Sequence, residues 1–284
     1  MYIIYNLLLI VVFVVFVLPY YTYRLFTEKG FSRRFRQSLG KVNNKEIEKV
    51  MRKDCIWIHG ASVGEIVATS PLVKQIRLEM PDRPILVSAF TVGGYNMAKQ
   101  IIPEADAIIF FPLDLPFVAE SMVKRIHPGI FMPVETELWP NFLRAIRERH
   151  IPVMMVNGRI SEKSVKTYRY LYGIWDDMLS TVSRFCMQSS IDADYISSLG
   201  ADQNKIFVTG NTKFDQTYAE VTQEDYARYK EELGATVIAE GGIWVPEQLV
   251  ESFNNGAHAA VVGTAITRPM DITKRFVKAL EESK

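Results

Sequence analysis

The sequence predicts an α/β protein: a parallel sheet covered by helices, preceded by one apolar N-terminal helix. Three observations carry this. From Cys55 onward, short apolar runs alternate with helical stretches. The runs are apolar at nearly every position, the pattern of strands buried on both faces. No charged side chain precedes Arg24. With 284 residues, 48% of them hydrophobic, the chain can bury a substantial core as one large domain or two modest ones.

Taken in order, Tyr2 to Tyr23 supplies the roughly 20 apolar residues that a helix needs to cross a bilayer. A cleaved signal peptide would carry its positive charges first and end in small residues. Here the charges follow, at Arg24, Lys29, Arg33, Arg34 and Arg36, beside an aromatic belt of Tyr20, Tyr21 and Tyr23. The expectation is a single uncleaved transmembrane anchor over residues 1–23, with the rest of the chain on the cytoplasmic side. A basic juxtamembrane segment, 24–53, should add affinity for anionic lipid.

The strands are expected in "CIWIH", "PILVSAF", "AIIFF", "GIFMPV", "IPVMMVN", "RFCMQS" and "KIFVTG". Between them the spacing predicts helices over Ile66–Met80, Gly94–Ile102, Phe117–Ile126, Asn141–His150 and Asp192–Leu199. A further polar helix is expected over 221–234, ending at a glycine. Strand–helix alternation of this kind implies right-handed crossovers and a parallel sheet. The net charge of +1 gives no electrostatic footprint for nucleic acid. Cys55 and Cys186 lie in apolar runs and read as reduced core residues. The four histidines have no zinc-ligand spacing, so neither a metal nor a cofactor is expected.

In a parallel sheet the segments after the strands share one edge, where ligands bind. Those segments are "HGASVGE" with Glu65, "TVGGYN", "FPLDLP" with Asp114, "ETELWPN" with Glu135 and Glu137, "NGRISEKS" with Arg159 and Lys163, and "GNTKFD" with Lys213 and Asp215. Carboxylates and cations should therefore converge on one cleft. Glu65 has two readings. At a helix N-terminus it is a capping acid, favoured by the dipole by about 0.3–1 kcal/mol. If burial or a neighbouring acid such as Glu135 or Glu137 raises its proton affinity, it suits a general base acting on a sugar hydroxyl. Glu135 and Glu137 equally fit a turn that holds backbone amides beside Pro140, and Arg159 and Lys163 equally fit a solvated surface. Residue chemistry alone reaches a membrane-anchored cytoplasmic enzyme with an acid–base cleft.

The segments "WIHGASVGE", "FPLDLP", "ETELWPNF", "NGRISEKS", "MQSSIDADYISSLGA" and "VTGNTKFD" also stand in the order of a known family. Met1 to about Gly234 resembles the N-terminal half of 3-deoxy-D-manno-octulosonic acid (Kdo) transferase. The resemblance implies a GT-B glycosyltransferase of lipid A and lipopolysaccharide biosynthesis at the inner membrane. It would move Kdo from CMP-Kdo to the lipid A precursor (lipid IVA), with inversion and without metal. Residues 54–234 would be the Rossmann-like, acceptor-binding domain. By position, Glu65 takes the role of general base and Glu137 that of the second acid of the site. Ser62, Gly64, Arg159, Lys163 and Lys213 are then the expected acceptor contacts.

After Gly234 the resemblance changes. Residues 235–284 resemble the C-terminal end of N-acetylmannosamine-6-phosphate 2-epimerase, a TIM barrel. "VIAEG" looks like its seventh strand and "AAVVGTAITRP" like its eighth strand and phosphate loop. By position Glu240 matches a glutamate of the epimerase site, and Gly263, Thr264 and Arg268 fall in the phosphate loop. Gly242, Ile243 and Trp244 stand where that family has Arg-Ile-His. The expectation is a fusion of two incomplete enzymes, with a short βαβα tail in the place of a nucleotide-binding domain. Such a chain should bind the acylated acceptor, with no measurable affinity for CMP and no transfer by itself. Two other readings stand beside it: an epimerase acting through the tail, and a non-catalytic module that binds the lipid A precursor.

Overall fold

The structure is a computed structural model, and it describes residues 1–27, 31–161, 165, 173–215, 238–240, 243, 246–254 and 256–262. Lys163, Gly263, Thr264, Arg268 and the helix expected over 221–234 lie outside these residues. The chain divides into two compact units, Met1–Gln216 and Thr217–Lys284. The boundary expected after Gly234 also lies outside the described residues.

In the first unit, seven parallel strands follow the predicted runs: β1 (Ile56–Gly60), β2 (Ile85–Ala89), β3 (Ala107–Phe110), β4 (Ile130–Pro133), β5 (Met154–Gly158), β6 (Arg184–Met187) and β7 (Ile206–Val208). They pair in the orders β3-β2-β1-β4 and β5-β6-β7. The two rows meet where Phe131 N donates to Pro152 O (3.0 Å) and Glu135 N donates to Val156 O (2.9 Å). The chain thus builds outward from β1 to β3, then returns to the other side of β1 at β4. That reversal is the topological switch point at which open α/β sheets form their ligand crevice.

Alternate residues of β1 serve two cores. Trp57 packs edge-on against Phe131 and Phe142 at 5.9 and 5.1 Å on one face. Ile56 and Ile58 join Ile66, Ile85 and Val87 on the other. Burial on both faces is why the strands read as continuous apolar runs. The last strand departs from that expectation: Phe207 and Val208 of β7 are exposed. β7 pairs only with β6 among the described strands, so its apolar run marks a sheet edge.

The helices begin earlier than apolar periodicity implies. α1 runs Tyr2–Thr27, with a π-turn at Phe13–Val17, beyond the expected end at Tyr23. It is the one helix among the described residues long and apolar enough to cross a membrane. α2 (Phe31–Ser38) and the short α3 (Asn44–Ile47) follow, then α4 (Val63–Glu79), α5 (Val92–Ile101), α6 (Pro116–Ile126), α7 (Pro140–Arg147), α8 (Ile174–Thr181) and α9 (Ser190–Ser198). α4, α5 and α9 start at hydroxyl caps, Ser62, Thr91 and Ser189, whose oxygens accept from the amides of Glu65, Gly94 and Asp192. α6 and α7 start with a proline, whose missing amide costs nothing in a first turn. Polar or glycine-rich first turns carry no apolar signal, so three of the predicted starts fall two or three residues late.

The juxtamembrane reading of 24–53 needs correction from Phe31 onward. Val42, Ile47 and Val50 are buried in the main core. The Gln37 carboxamide accepts from Phe110 N at 2.8 Å, and Ser38 O accepts from Leu113 N at 2.8 Å. A few spaced anchors tie this mainly polar segment to β3, and average polarity conceals them.

In the second unit, β8 (Ile238–Glu240) and β9 (Ala259–Val261) pair in parallel, with α10 (Pro246–Asn254) between them in the chain. This is the strand–helix–strand order expected of the tail. Glu240 is the last residue of β8.

Candidate functional site

The cleft is built on four strand ends, those of β1, β4, β5 and β7. β1 delivers "GASVGE" into the first turn of α4. Ser62 caps that turn, and Glu65 folds back over it: Oε2 accepts from Ala61 N at 2.7 Å and Oε1 from the Ser62 hydroxyl at 2.7 Å. This is a capping box in outline, with the carboxylate turned to the residue before the cap. Gly60 makes room for it, since a Cβ there would meet Glu65 Cβ at 3.2 Å. The β2 loop braces the turn through Thr91, whose amide and hydroxyl both donate to Ala61 O at 3.0 Å. The exposed Gly64 leaves bare backbone at the mouth; a Cβ on it would lie 3.9 Å from Lys213 Nζ and 4.0 Å from Ser62 Oγ.

β4 delivers Glu135 and Glu137. Glu135 adopts a left-handed backbone at φ 56°, sparsely populated for a residue with a Cβ. Its carboxylate lies 3.9 Å from Lys213 Nζ. Burial, reinforced by the negative charge of Glu65, raises its pKa above the ordinary carboxylate value, while Lys213 and Arg159 pull the other way. Glu137 turns inward. It accepts from Trp139 Nε1 at 3.0 Å and lies 3.5 Å from Nε2 of the fully buried His59. The His59 ring stacks on Phe111 at 3.7 Å, and its Nδ1 lies 3.1 Å from the Ser88 hydroxyl.

β5 and β7 supply the cations. Asn157, also left-handed at φ 52°, accepts from Thr212 N at 3.1 Å. Asn211 donates to Gln188 at 3.1 Å, and Gln188 donates to Asn157 O at 3.0 Å. These bonds fasten the Thr212–Asp215 turn to the end of β5 and bring Lys213 to Glu135. Arg159 is exposed, near enough for its charge to act on Glu135.

Of the expected cleft residues, the strand ends bring together Ser62, Gly64, Glu65, Arg159 and Lys213, with Glu137 behind them against His59. Asp114 does not join them. It is 4% exposed and caps α7, accepting from Asn141 N (3.0 Å), Phe142 N (2.8 Å) and the Tyr5 hydroxyl (3.0 Å). Burial pushes its carboxyl up to about 7. Residue reading missed His59 and Trp139 as partners of Glu137. The only signal was a polar residue inside an apolar strand, at His59.

The sequence profile of the 3-deoxy-D-manno-octulosonic-acid transferase (kdotransferase) family matches residues 33–216. That of the N-acetylmannosamine-6-phosphate epimerase family matches residues 181–282, which is the similarity expected of the tail. The overlap, 181–216, is built into the first unit through β6, α9 and β7. The chain is 32% identical over 201 residues to a bifunctional glycosyltransferase/methyltransferase of Fusobacterium nucleatum, covering 69% of this chain and 31% of that protein. It is 34% identical over 160 residues to the 3-deoxy-D-manno-octulosonic acid transferase of Haemophilus influenzae, covering 56% and 38%. With the enzyme of the same name from Chlamydophila psittaci the figures are 30% over 203 residues, covering 70% and 47%. The chain thus spans about a third to a half of the length of these relatives. Its profile match runs through every strand end that forms the cleft, and the chain belongs to the 3-deoxy-D-manno-octulosonic-acid transferase family.

Proposed function

We propose that the first unit forms the acceptor half of a Kdo transferase site, with CMP-Kdo as donor and the lipid A precursor lipid IVA as acceptor, at the cytoplasmic face of the inner membrane. The observation that carries this is the meeting of Glu65, Glu135 and Lys213 at the β1–β4 switch point.

In this reading a sugar hydroxyl of the acceptor replaces the Ser62 hydroxyl at Glu65 Oε1. Glu65 takes its proton, the acceptor oxygen bonds to the anomeric carbon of Kdo, and CMP leaves with the bonding electron pair. A single displacement of this kind inverts the anomeric centre. Glu135 keeps its proton more readily than an ordinary carboxyl because it is buried beside Glu65. Two acids in different environments can thus divide the roles of base and proton-holding partner. Lys213 and Arg159, with Lys163, bind acceptor phosphate, and Glu137 fixes the floor of the cleft through Trp139 and His59.

The test is Glu65→Gln in a transfer assay, in this chain supplied with an intact donor domain. Acceptor binding should persist while turnover falls by about 10²–10⁴-fold. Near-normal turnover would leave Glu65 a helix cap. The match over 181–282 favours a second reading, epimerisation of a phosphorylated amino sugar at Glu240. Turnover of N-acetylmannosamine 6-phosphate by the full chain tests that directly.

A further inference from the structure

α1 does more than supply apolar length. Near its start, the Tyr2 hydroxyl donates to Asp177 at 2.7 Å and the Tyr5 hydroxyl to Asp114 at 3.0 Å, while Asn6 accepts from the Asn141 carboxamide at 2.8 Å. Near its end, Tyr21 is 4% exposed, packs edge-on against Phe31 and accepts from Arg34 at 3.1 Å. Nineteen residues separate Tyr2 from Tyr21, about 29 Å of helix. Both ends therefore touch the same domain. Tyr2, Tyr5, Leu9, Phe13, Val17 and Tyr21 form one partly or fully covered stripe at helical spacing. The opposite stripe, Ile4, Leu7, Leu8, Val11, Val15 and Phe16, is 54–70% exposed.

We propose that α1 lies along the lipid–water interface as an in-plane anchor, its Tyr2–Tyr5–Asn6 face fastened to Asp177, Asp114 and Asn141 and its opposite apolar face turned to lipid. The inference rests on the membrane attachment proposed above and changes its geometry. A crossing helix would carry Tyr2, Tyr5 and Asn6 away from their partners. Asp114, buried at the start of α7, would lose a hydroxyl donor, and buried polar groups are costly without partners. The exposed stripe is longer and more continuous than a soluble surface carries, and an acyl boundary covers such a face. Charge agrees: α2 and the turn after it place Arg36 and Lys41, with Arg33 paired to Glu46 at 3.3 Å, around a cavity of about 390 Å³, where the three cations outnumber the one carboxylate and suit anionic headgroups. Asp114 and Asn141 also begin the helix that follows Glu135, Glu137 and Trp139. The lipid-facing helix is thereby tied to the cleft, holding it at a set height for a lipid-borne acceptor.

The test adds the full-length protein from outside to preformed phosphatidylcholine vesicles, with and without phosphatidylglycerol. Single cysteines at Ile3, Leu8, Leu9, Phe13 and Val15 carry the probes, with labelled peptides assigned by mass spectrometry. In sealed vesicles, an impermeant maleimide should label Ile3→Cys as fast as after detergent. Fluorophores on Leu8→Cys and Val15→Cys should be quenched equally by shallow lipid-borne quenchers, and those on Leu9→Cys and Phe13→Cys should be spared. Arg36→Gln and Lys41→Gln should each weaken binding to the anionic vesicles about fivefold. Labelling of Ile3→Cys only after detergent, with quenching deepest at mid-helix, would overturn the in-plane geometry and leave membrane attachment standing. Failure to float with either vesicle would overturn both.

Discussion

Lys213 Nζ stands 3.9 Å from Glu135 Oε1, so a cation from the loop after β7 meets a carboxylate from the loop after β4. The two segments are far apart in sequence, and the turn held by Asn157 brings them together. The contact sets a balance at Glu135. Burial and Glu65 raise its proton affinity, and Lys213 lowers it. Lys213→Met removes the larger of the two lowering influences and leaves Arg159, so Glu135 should titrate at a higher pH than in the parent protein. Carboxyl carbon NMR, assigned with Glu135→Gln, measures this. A titration unchanged or moved to lower pH would disconnect the pair.

Asp114 predicts a pH dependence of stability. Its carboxyl moves from the ordinary 3.8 to about 7 through burial. A raised native pKa means that the folded state holds more protons than the unfolded chain between those values. The stabilisation is complete below about pH 3.8 and lost as pH rises through about 7. Asp114→Asn imitates the protonated carboxyl. Its melting temperature should match the parent at the acid end and should not show this decline towards neutrality. Parallel Tm–pH curves would contradict the assignment.

The legible and illegible parts of the molecule have separate physical causes. Ile56, Ile58, Ile85 and Val87 are buried on one face of the sheet and Trp57 and Leu86 on the other, so their strands appear as uninterrupted apolar runs. Strand polarity then places Glu65, Arg159 and Lys213 at one edge. The function of Asp114 was not legible, because a carboxylate after a strand looks the same whether it faces a cleft or caps the next helix. Nor was the integration of residues 31–53, where Val42, Ile47 and Val50 are the sparse apolar anchors. Glu135 could be listed beside Glu137, but its left-handed backbone and its approach to Lys213 depend on contacts with β5 and the β7 loop.

The Glu65 turn gives a stability prediction independent of catalysis. Ser62→Ala removes the cap to Glu65 N and the hydroxyl bound to Glu65 Oε1. Loss of such a cap costs about 1 kcal/mol. Urea denaturation should show a lower midpoint with unchanged slope. No loss of stability would mean that the α4 start does not depend on Ser62.

Gly158 marks the bulge between β5 and β6 that precedes Arg159. A Cβ there would come within 2.6 Å of Met187 Sδ and 3.0 Å of Met155 Sδ. Gly158→Ala should therefore destabilise the fold by about 1–3 kcal/mol through overpacking. Gly158→Ala combined with Met187→Ala should recover part of that loss. A neutral single substitution would show that the methionine pair yields freely.

In the proposed function, the cleft of Glu65, Glu135 and Lys213 binds the phosphorylated, acylated acceptor. Calorimetry of the full chain with lipid IVA in detergent tests it most directly, comparing the parent with Lys213→Ala and Glu65→Gln. The parent should bind saturably, with binding retained in Glu65→Gln and weakened at least tenfold in Lys213→Ala, a loss of about 1.4 kcal/mol. Binding unaffected by Lys213→Ala, or no binding by the parent chain, would contradict it.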